Sequence, residues 1–167
     1  MKVNAPLERM PVNLDFESPA EAKGFKAVIN LDSKVVDFAS GITGKINFKN
    51  LGVQCLAIYG CLLRKEEITA TSSPLSKRKW PSLVTSYQNI QLTYGEPALR
   101  EYPFYYSLPK NYSCETSSGK KGPFMVSFMF SLRIILKSGH ILTKSVPLTL
   151  YRLAPEKPRE EEAIEDD

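Results

Sequence analysis

Between Ile42 and Phe48 the chain switches side-chain character at every residue. Ile42, Gly44, Ile46 and Phe48 share one parity, and Thr43, Lys45 and Asn47 the other. Period-two alternation places one set on each face of a pleated strand, so the apolar set faces a core and the polar set faces water. Comparable runs recur along the chain. They are predicted as strands at 25–31, 35–38, 42–49, 53–64, 83–94, 100–108, 124–137 and 140–152, with a short edge strand at 12–16. Gly, Pro, Asn and Ser clusters separate them. Strands at this spacing with such punctuation predict an all-β, antiparallel two-sheet β-sandwich, with a closed barrel as the alternative. The run at 53–64 is rich in branched and aromatic residues and reads as a central strand. Pro147 demotes part of the last strand to an edge or bulge. Ser138-Gly139 predicts a hairpin of about two residues. A bend is expected near Gln88-Asn89. No helical periodicity longer than about two turns is present.

The 167 residues, 43% hydrophobic and 10% aromatic, suffice for one packed domain. The expected division is an extended, proline-punctuated arm at 1–23, the sandwich at 24–153 and a disordered acidic tail at 154–167. No apolar run reaches the roughly 18–20 residues of a spanning helix, and residues 1–10 do not read as a secretory signal. The net charge of +4 is unevenly placed. Residues 156–167 hold seven acidic and two basic side chains, a balance of −5. The remaining 20 basic and 11 acidic side chains leave +9 on residues 1–155. A basic body favours anionic partners, although a soluble domain with an acidic end has the same profile.

The sequence is poor in catalytic chemistry. The single histidine, His140, sits in the expected turn, so no Ser-His-Asp or Cys-His set can be assembled around a credible base. Cys55, Cys61 and Cys114 include no CxxC, and no metal or cofactor is expected. Cys55 and Cys61 share a parity about 20 Å apart in a straight strand, which excludes their pairing. They read as buried free thiols of a reducing compartment. Glycine-rich nucleotide motifs are absent, and Gly41-Ile42-Thr43-Gly44 reads as turn chemistry.

The strongest candidate for function is Lys77-Arg78-Lys79-Trp80. It lies in a connection, 65–81, longer than ordinary loops and therefore functional or flexible. Three adjacent cations beside an indole suit an anionic partner surface; the bland reading is a solvated charge run with Trp80 tucked onto the sandwich. Lys120 and Lys121, in a second long loop at 109–123, join the same patch if both loops share one end of the sandwich. Tyr102, Tyr105, Tyr106 and Tyr112 read mainly as core and cross-strand packing.

The order of these signals resembles the arrestin-like family, specifically one arrestin-type lobe of immunoglobulin-like sandwich form. The family's opening strand ends in Leu-Asp, as at Leu31-Asp32. Its next passage has glycines spaced as in Ser40-Gly41-Ile42-Thr43-Gly44-Lys45-Ile46. Its aromatic strand ending in Leu-Pro corresponds to Tyr102-Pro103-Phe104-Tyr105-Tyr106-Ser107-Leu108-Pro109. The likeness covers about 25–151. Pro103 departs from the family pattern, and the length leaves room for one lobe where the family has two. No Pro-Pro-x-Tyr motif for ligase recruitment is present. The resemblance implies a non-enzymatic protein-binding adaptor or scaffold in membrane-protein trafficking or sorting. It also implies a cytoplasmic location, peripheral to an endosomal or plasma membrane. The partner called for is a protein, with an anionic membrane surface second. The alternatives are a lipid carrier, which needs a large apolar cavity between the sheets, and a structural subunit, which needs a broad apolar outer face. A nucleic-acid binder ranks last and needs aromatics interleaved with cations on one exposed face.

Overall fold

The computed structural model describes residues 2–19, 24–49, 55–68, 83–93, 101–108 and 124–154. Ten strands run in chain order: β1 (Lys2–Val3), β2 (Val12–Glu17), β3 (Lys26–Leu31), β4 (Val35–Asp37), β5 (Ile42–Phe48), β6 (Cys55–Ile68), β7 (Leu83–Thr93), β8 (Glu101–Tyr106), β9 (Phe124–Leu136) and β10 (Ile141–Leu153). They form two sheets. One has the order β1-β10-β9-β6-β7 with β4 also on β10, and the other β2-β3-β5-β8. Pairing is antiparallel except where β1 and β4 run parallel to the end of β10. The expected two-sheet sandwich is therefore the fold, with β6 central between β9 and β7.

The alternation of β5 sets the pattern of its sheet. Ile42, Ile46 and Phe48 are buried beside Ala27, Ile29 and Leu31 of β3 and Phe104 and Tyr106 of β8. The opposite sheet contributes Ile58 and Leu62 of β6, Phe128 to Leu136 at alternate positions of β9, and Val146, Leu148 and Leu150 of β10. The two inner faces meet through aromatic rings. Phe104 stacks on Phe130 at 6.5 Å, and Tyr106 meets Phe130 edge-on at 5.2 Å.

Among the described residues, a polar bond crosses this core. The β6–β7 ladder slips register between Cys61 and Leu63, at the expected bend near Gln88-Asn89. The slip takes Leu62 out of the β7 ladder. Its N–H donates instead to the Tyr106 hydroxyl of the facing sheet, at 3.2 Å and out of water. A buried N–H without an acceptor is costly, so the slip and the phenol depend on each other.

The edge strand expected at 12–16 is β2, at the edge of the smaller sheet, and the expected N-terminal arm is tied to the sandwich along its length. β1 pairs with β10 and β2 with all of β3, and Phe16 is 2% exposed in the core. Met10 N–H further donates to Ser33 Oγ at 2.9 Å. Gly44 is not a turn residue. It lies inside β5, where a Cβ would strike the Asn30 carbonyl and the Phe104 ring, so its missing side chain is what admits Phe104. Gly41, with φ +73°, does turn the chain. The β9–β10 hairpin expected at Ser138-Gly139 closes on a three-residue loop, 137–139, close to the two-residue type. Gly139 N–H donates to Leu136 O, Leu136 N–H donates to His140 O, and Gly139 holds φ +89°, the left-handed place that closes such a loop. Cys55 and Cys61 do not share a face. A bulge between Cys55 and Ala57 inverts the parity, leaving Cys55 in the core and Cys61 half-buried on the outer side.

Pro103 and Pro147 both find places that need no N–H. β8 ends its sheet, so Pro103 has β5 on one side only. Pro147 pairs with Met129 of β9, and among the described residues no strand pairs with the other side of β10 at 141–148.

Tyr106→Phe keeps the ring and removes only the acceptor for Leu62. It is expected to cost about 1–3 kcal/mol in urea unfolding, the range for an unsatisfied buried donor. A cost near zero would show that the cross-sheet bond contributes nothing. Gly44→Ala is expected to destabilise by at least about 1 kcal/mol through overpacking against Phe104; co-substitution with Phe104→Leu should recover part of the loss.

Candidate functional site

The long β6 projects past the core at its C-terminal end. Leu62 is the last fully buried residue there, and Arg64, Lys65, Glu66 and Glu67 follow. Alternation sends Arg64 and Glu66 to one face and Lys65 and Glu67 to the other. Each face pairs its own charges: Arg64 meets Glu66 at 3.0 Å, and Lys65 meets Glu67 at 2.6 Å. Both pairs are partly exposed, so each contributes little stability. Their effect on the field is larger, because the acids at this end are already engaged by cations of the same strand.

Lys77, Arg78, Lys79, Trp80, Lys120 and Lys121 lie outside the described residues, as do Cys114, Tyr112 and the acidic tail at 155–167. The strands bounding the two basic segments are described. Ile68 of β6 pairs with Phe124 of β9, and Glu66 pairs with Leu83 of β7. The segment 69–82 thus begins at Ile68 and ends at Leu83, and the segment 109–123 ends at Phe124. These three anchor residues sit together at one end of the larger sheet. The first segment contains three cations and no acid; the second contains Lys110, Lys120 and Lys121 against Glu115. Sequence reasoning could not supply this juxtaposition, because it rests on a strand pairing between residues 56 positions apart.

The rest of the described surface offers shallow clefts. One of about 230 Å³ lies between the N-terminal segment and β4, lined in part by Arg9, Asp32, Asp37 and Tyr151. Asp32 there accepts from the Thr43 hydroxyl of β5, and Asp37 accepts from Ala39 N–H in its own turn, so both carboxylates are engaged within the fold. Another, of about 410 Å³, is bounded by Phe38, Arg152 and Leu153, with the Arg152 guanidinium 4.3 Å from the Phe38 ring centre. The interior between the sheets is occupied by the Phe104, Tyr106 and Phe130 rings. Among the described residues, no group of three or more metal-ligating side chains converges. No described helix is long and apolar enough to cross a membrane.

His140 belongs to the β9–β10 turn. Its Nδ1 lies 2.9 Å from Ser138 Oγ, a contact between residues two apart that steadies the loop. The two described thiols differ in environment. Burial pushes Cys55 up to about 11, only partly offset by a hydrogen bond from the Ala57 backbone. Cys61 is also raised by burial, with the Arg133 guanidinium acting against the shift.

The architecture is that of a two-sheet, arrestin-like β-sandwich. No protein-family model matches the chain. Over 71 residues it is 35% identical to vacuolar protein sorting-associated protein 26C of Dictyostelium discoideum, covering 41% of this chain and 22% of the relative. Among solved structures it resembles the sporulation control protein Spo0M of Bacillus subtilis, with a TM-score of 0.50 and 12% identity. That likeness covers 75% of this chain and 48% of the other, and concerns the fold alone. The matched part is thus under a quarter of one relative and about half of the other.

The thiol environments lead to a direct test. At pH 8 Cys55 is almost wholly protonated, and the thiolate is the nucleophile. Mass-resolved alkylation of the folded chain is expected to modify Cys61 well before Cys55, with Cys55 reacting only in denaturant. Equal rates in the folded state would contradict the inverted parity of the two residues.

Proposed function

We propose that the chain is a non-enzymatic, protein-binding adaptor acting in the trafficking or sorting of membrane proteins. We assign its binding surface to the end of the larger sheet that bounds the two basic segments, the one carrying Lys77, Arg78, Lys79 and Trp80 and the one carrying Lys120 and Lys121. The supporting observation is the pairing of Ile68 with Phe124, beside Leu83, which roots both basic segments at one place. The acids nearest these roots, Glu66 and Glu67, are paired with Arg64 and Lys65, so they do not cancel the cations of the segments. Such a cluster attracts an acidic partner over a Debye length of about 8 Å at physiological salt. Trp80 supplies the large, amphipathic anchor that interfaces favour. The trafficking role rests on the similarity to the vacuolar sorting relative, whose matched part is 22% of its length. It carries with it a cytoplasmic location at the surface of an endosomal membrane. The filled interior argues against the lipid-carrier alternative, because the Phe104–Phe130 stack stands where a lipid chain would lie.

The test is a Lys77→Glu, Arg78→Glu, Lys79→Glu variant of the intact chain. In pull-downs at two salt concentrations, it is expected to lose its protein partner and to flatten the salt dependence. Partner capture unchanged in amount and in salt slope would sink this surface. Loss of binding to anionic vesicles with partner capture intact would reassign the cations to the membrane.

A further inference from the structure

The two outer faces of the sandwich differ in chemistry. On the smaller sheet, the outward positions of β2, β3, β5 and β8 include Asp15, Glu17, Lys26, Lys45, Lys49 and Glu101, a solvated face of mixed charge. Two ion pairs lie on it, Glu17–Lys26 at 3.6 Å and Lys45–Glu101 at 3.1 Å. The outer face of the larger sheet is uncharged in its middle and carries its charges toward the ends. Reading across its strands, Pro147 of β10 stands beside Met129 of β9, which stands beside Leu63 of β6. The neighbouring row is Ser145, Ser131 and Cys61. Met129 and Leu63 are only half-buried, and Pro147 is exposed. Among the described residues nothing covers them.

Charges on β6 and β9 return at two places on this face. At one end Arg133, exposed, pairs with Tyr59. At the other end Lys65 and Glu67, paired with each other, stand opposite Ser127 and Met125. The apolar row lies midway: Leu63 is four residues from both Tyr59 and Glu67, and Met129 is four from both Arg133 and Met125. A two-fold axis through that row, in the plane of the face and across the strands, therefore lays Arg133 of one copy beside Glu67 of another. The same operation stacks Met129 and Leu63 on their own counterparts. A face that is its own complement under a two-fold rotation has the form of an isologous interface. Its uncharged centre holds Met129 and Leu63, and Tyr59 and Arg133 flank it; Met, Tyr and Arg are residue types enriched at interfaces. A carboxylate accepts more than one donor, so Glu67 can hold its own Lys65 and receive a second cation.

We propose that the outer face of the β10-β9-β6-β7 sheet is a self-association surface whose occupant is a second copy of this chain. The two sheets pack face to face, about 10 Å apart, with the Met129–Leu63 row at the centre and reciprocal Arg133–Glu67 pairs at both ends. Four strands and eight residues of length give a patch of roughly 19 by 27 Å, about 500 Å² on each copy. That is at the small end of specific interfaces, so the association is transient and concentration-dependent. It does not depend on the basic segments at the end of the sheet.

The experiment is sedimentation velocity on the intact 18.8 kDa chain from low to about 200 μM, a range suited to weak complexes. The wild type is expected to move toward twice its mass with rising concentration. Met129→Glu should hold it at 18.8 kDa with an unchanged far-ultraviolet spectrum. Arg133→Glu should weaken the dimer at least about tenfold, and Arg133→Glu with Glu67→Arg should restore it to within about threefold. A wild-type chain that stays monomeric throughout overturns the proposal. So does a dimer that Met129→Glu leaves intact, or one that Arg133→Glu weakens without rescue by the double exchange.

Discussion

The hydrogen bond from Leu62 N–H to the Tyr106 hydroxyl joins the two sheets through the middle of an otherwise apolar core. Apolar packing holds the sheets together but has little directional preference. A single satisfied donor in that setting selects one arrangement, because sliding a sheet would leave the donor buried and unpaired. The same bond explains why β6 and β7 slip register at this point, and what the hydroxyl of Tyr106 does on the inner face of β8. Burial raises the Tyr106 phenol above its ordinary range, so it stays neutral and keeps its place under physiological conditions. Phe104, admitted by Gly44, and Phe130 then complete the contact around it.

With the centre held this way, β6 extends past the core as a platform. Its charged end is internally paired, and both basic segments are rooted beside it. The fold thereby separates duties. The interior is closed by packed rings, and the smaller sheet presents a face of mixed charge. The proposed partner surface sits at one end of the larger sheet, and the proposed self-association surface is that sheet's outer face.

Much of the fold was legible because alternation is a local signal. The period-two run at Ile42–Phe48 and the long apolar runs of β6 and β9 located strands to within a few residues. What alternation misses is anything that interrupts it. The bulge before Ala57 inverted the faces of Cys55 and Cys61, and no residue there announces it. β1 is two residues long, too short to show a period, and its pairing with Arg152 and Leu153 is a long-range event. Gly44 looked like a turn residue because glycine signals turns by default, while its reason for being there, the Phe104 ring, lies 60 residues away. The basic residues were visible as charge runs, but charge runs carry no register. Only the ladder from Ile68 to Phe124 relates one basic segment to the other. The self-complementary spacing of Arg133, Met129, Leu63 and Glu67 was hidden for the same reason.

In the proposed mode of action a partner binds at one end of a sandwich that does not itself rearrange. Amide hydrogen exchange, resolved by peptide and compared with and without the captured protein partner, distinguishes this from binding elsewhere. New protection is expected in peptides covering Lys77 to Trp80 and Lys120 to Lys121, with β5, β8 and the Leu62 region of β6 unchanged. Protection confined to β2 or to the open edge of β10, or loss of protection at Leu62 on binding, would contradict it.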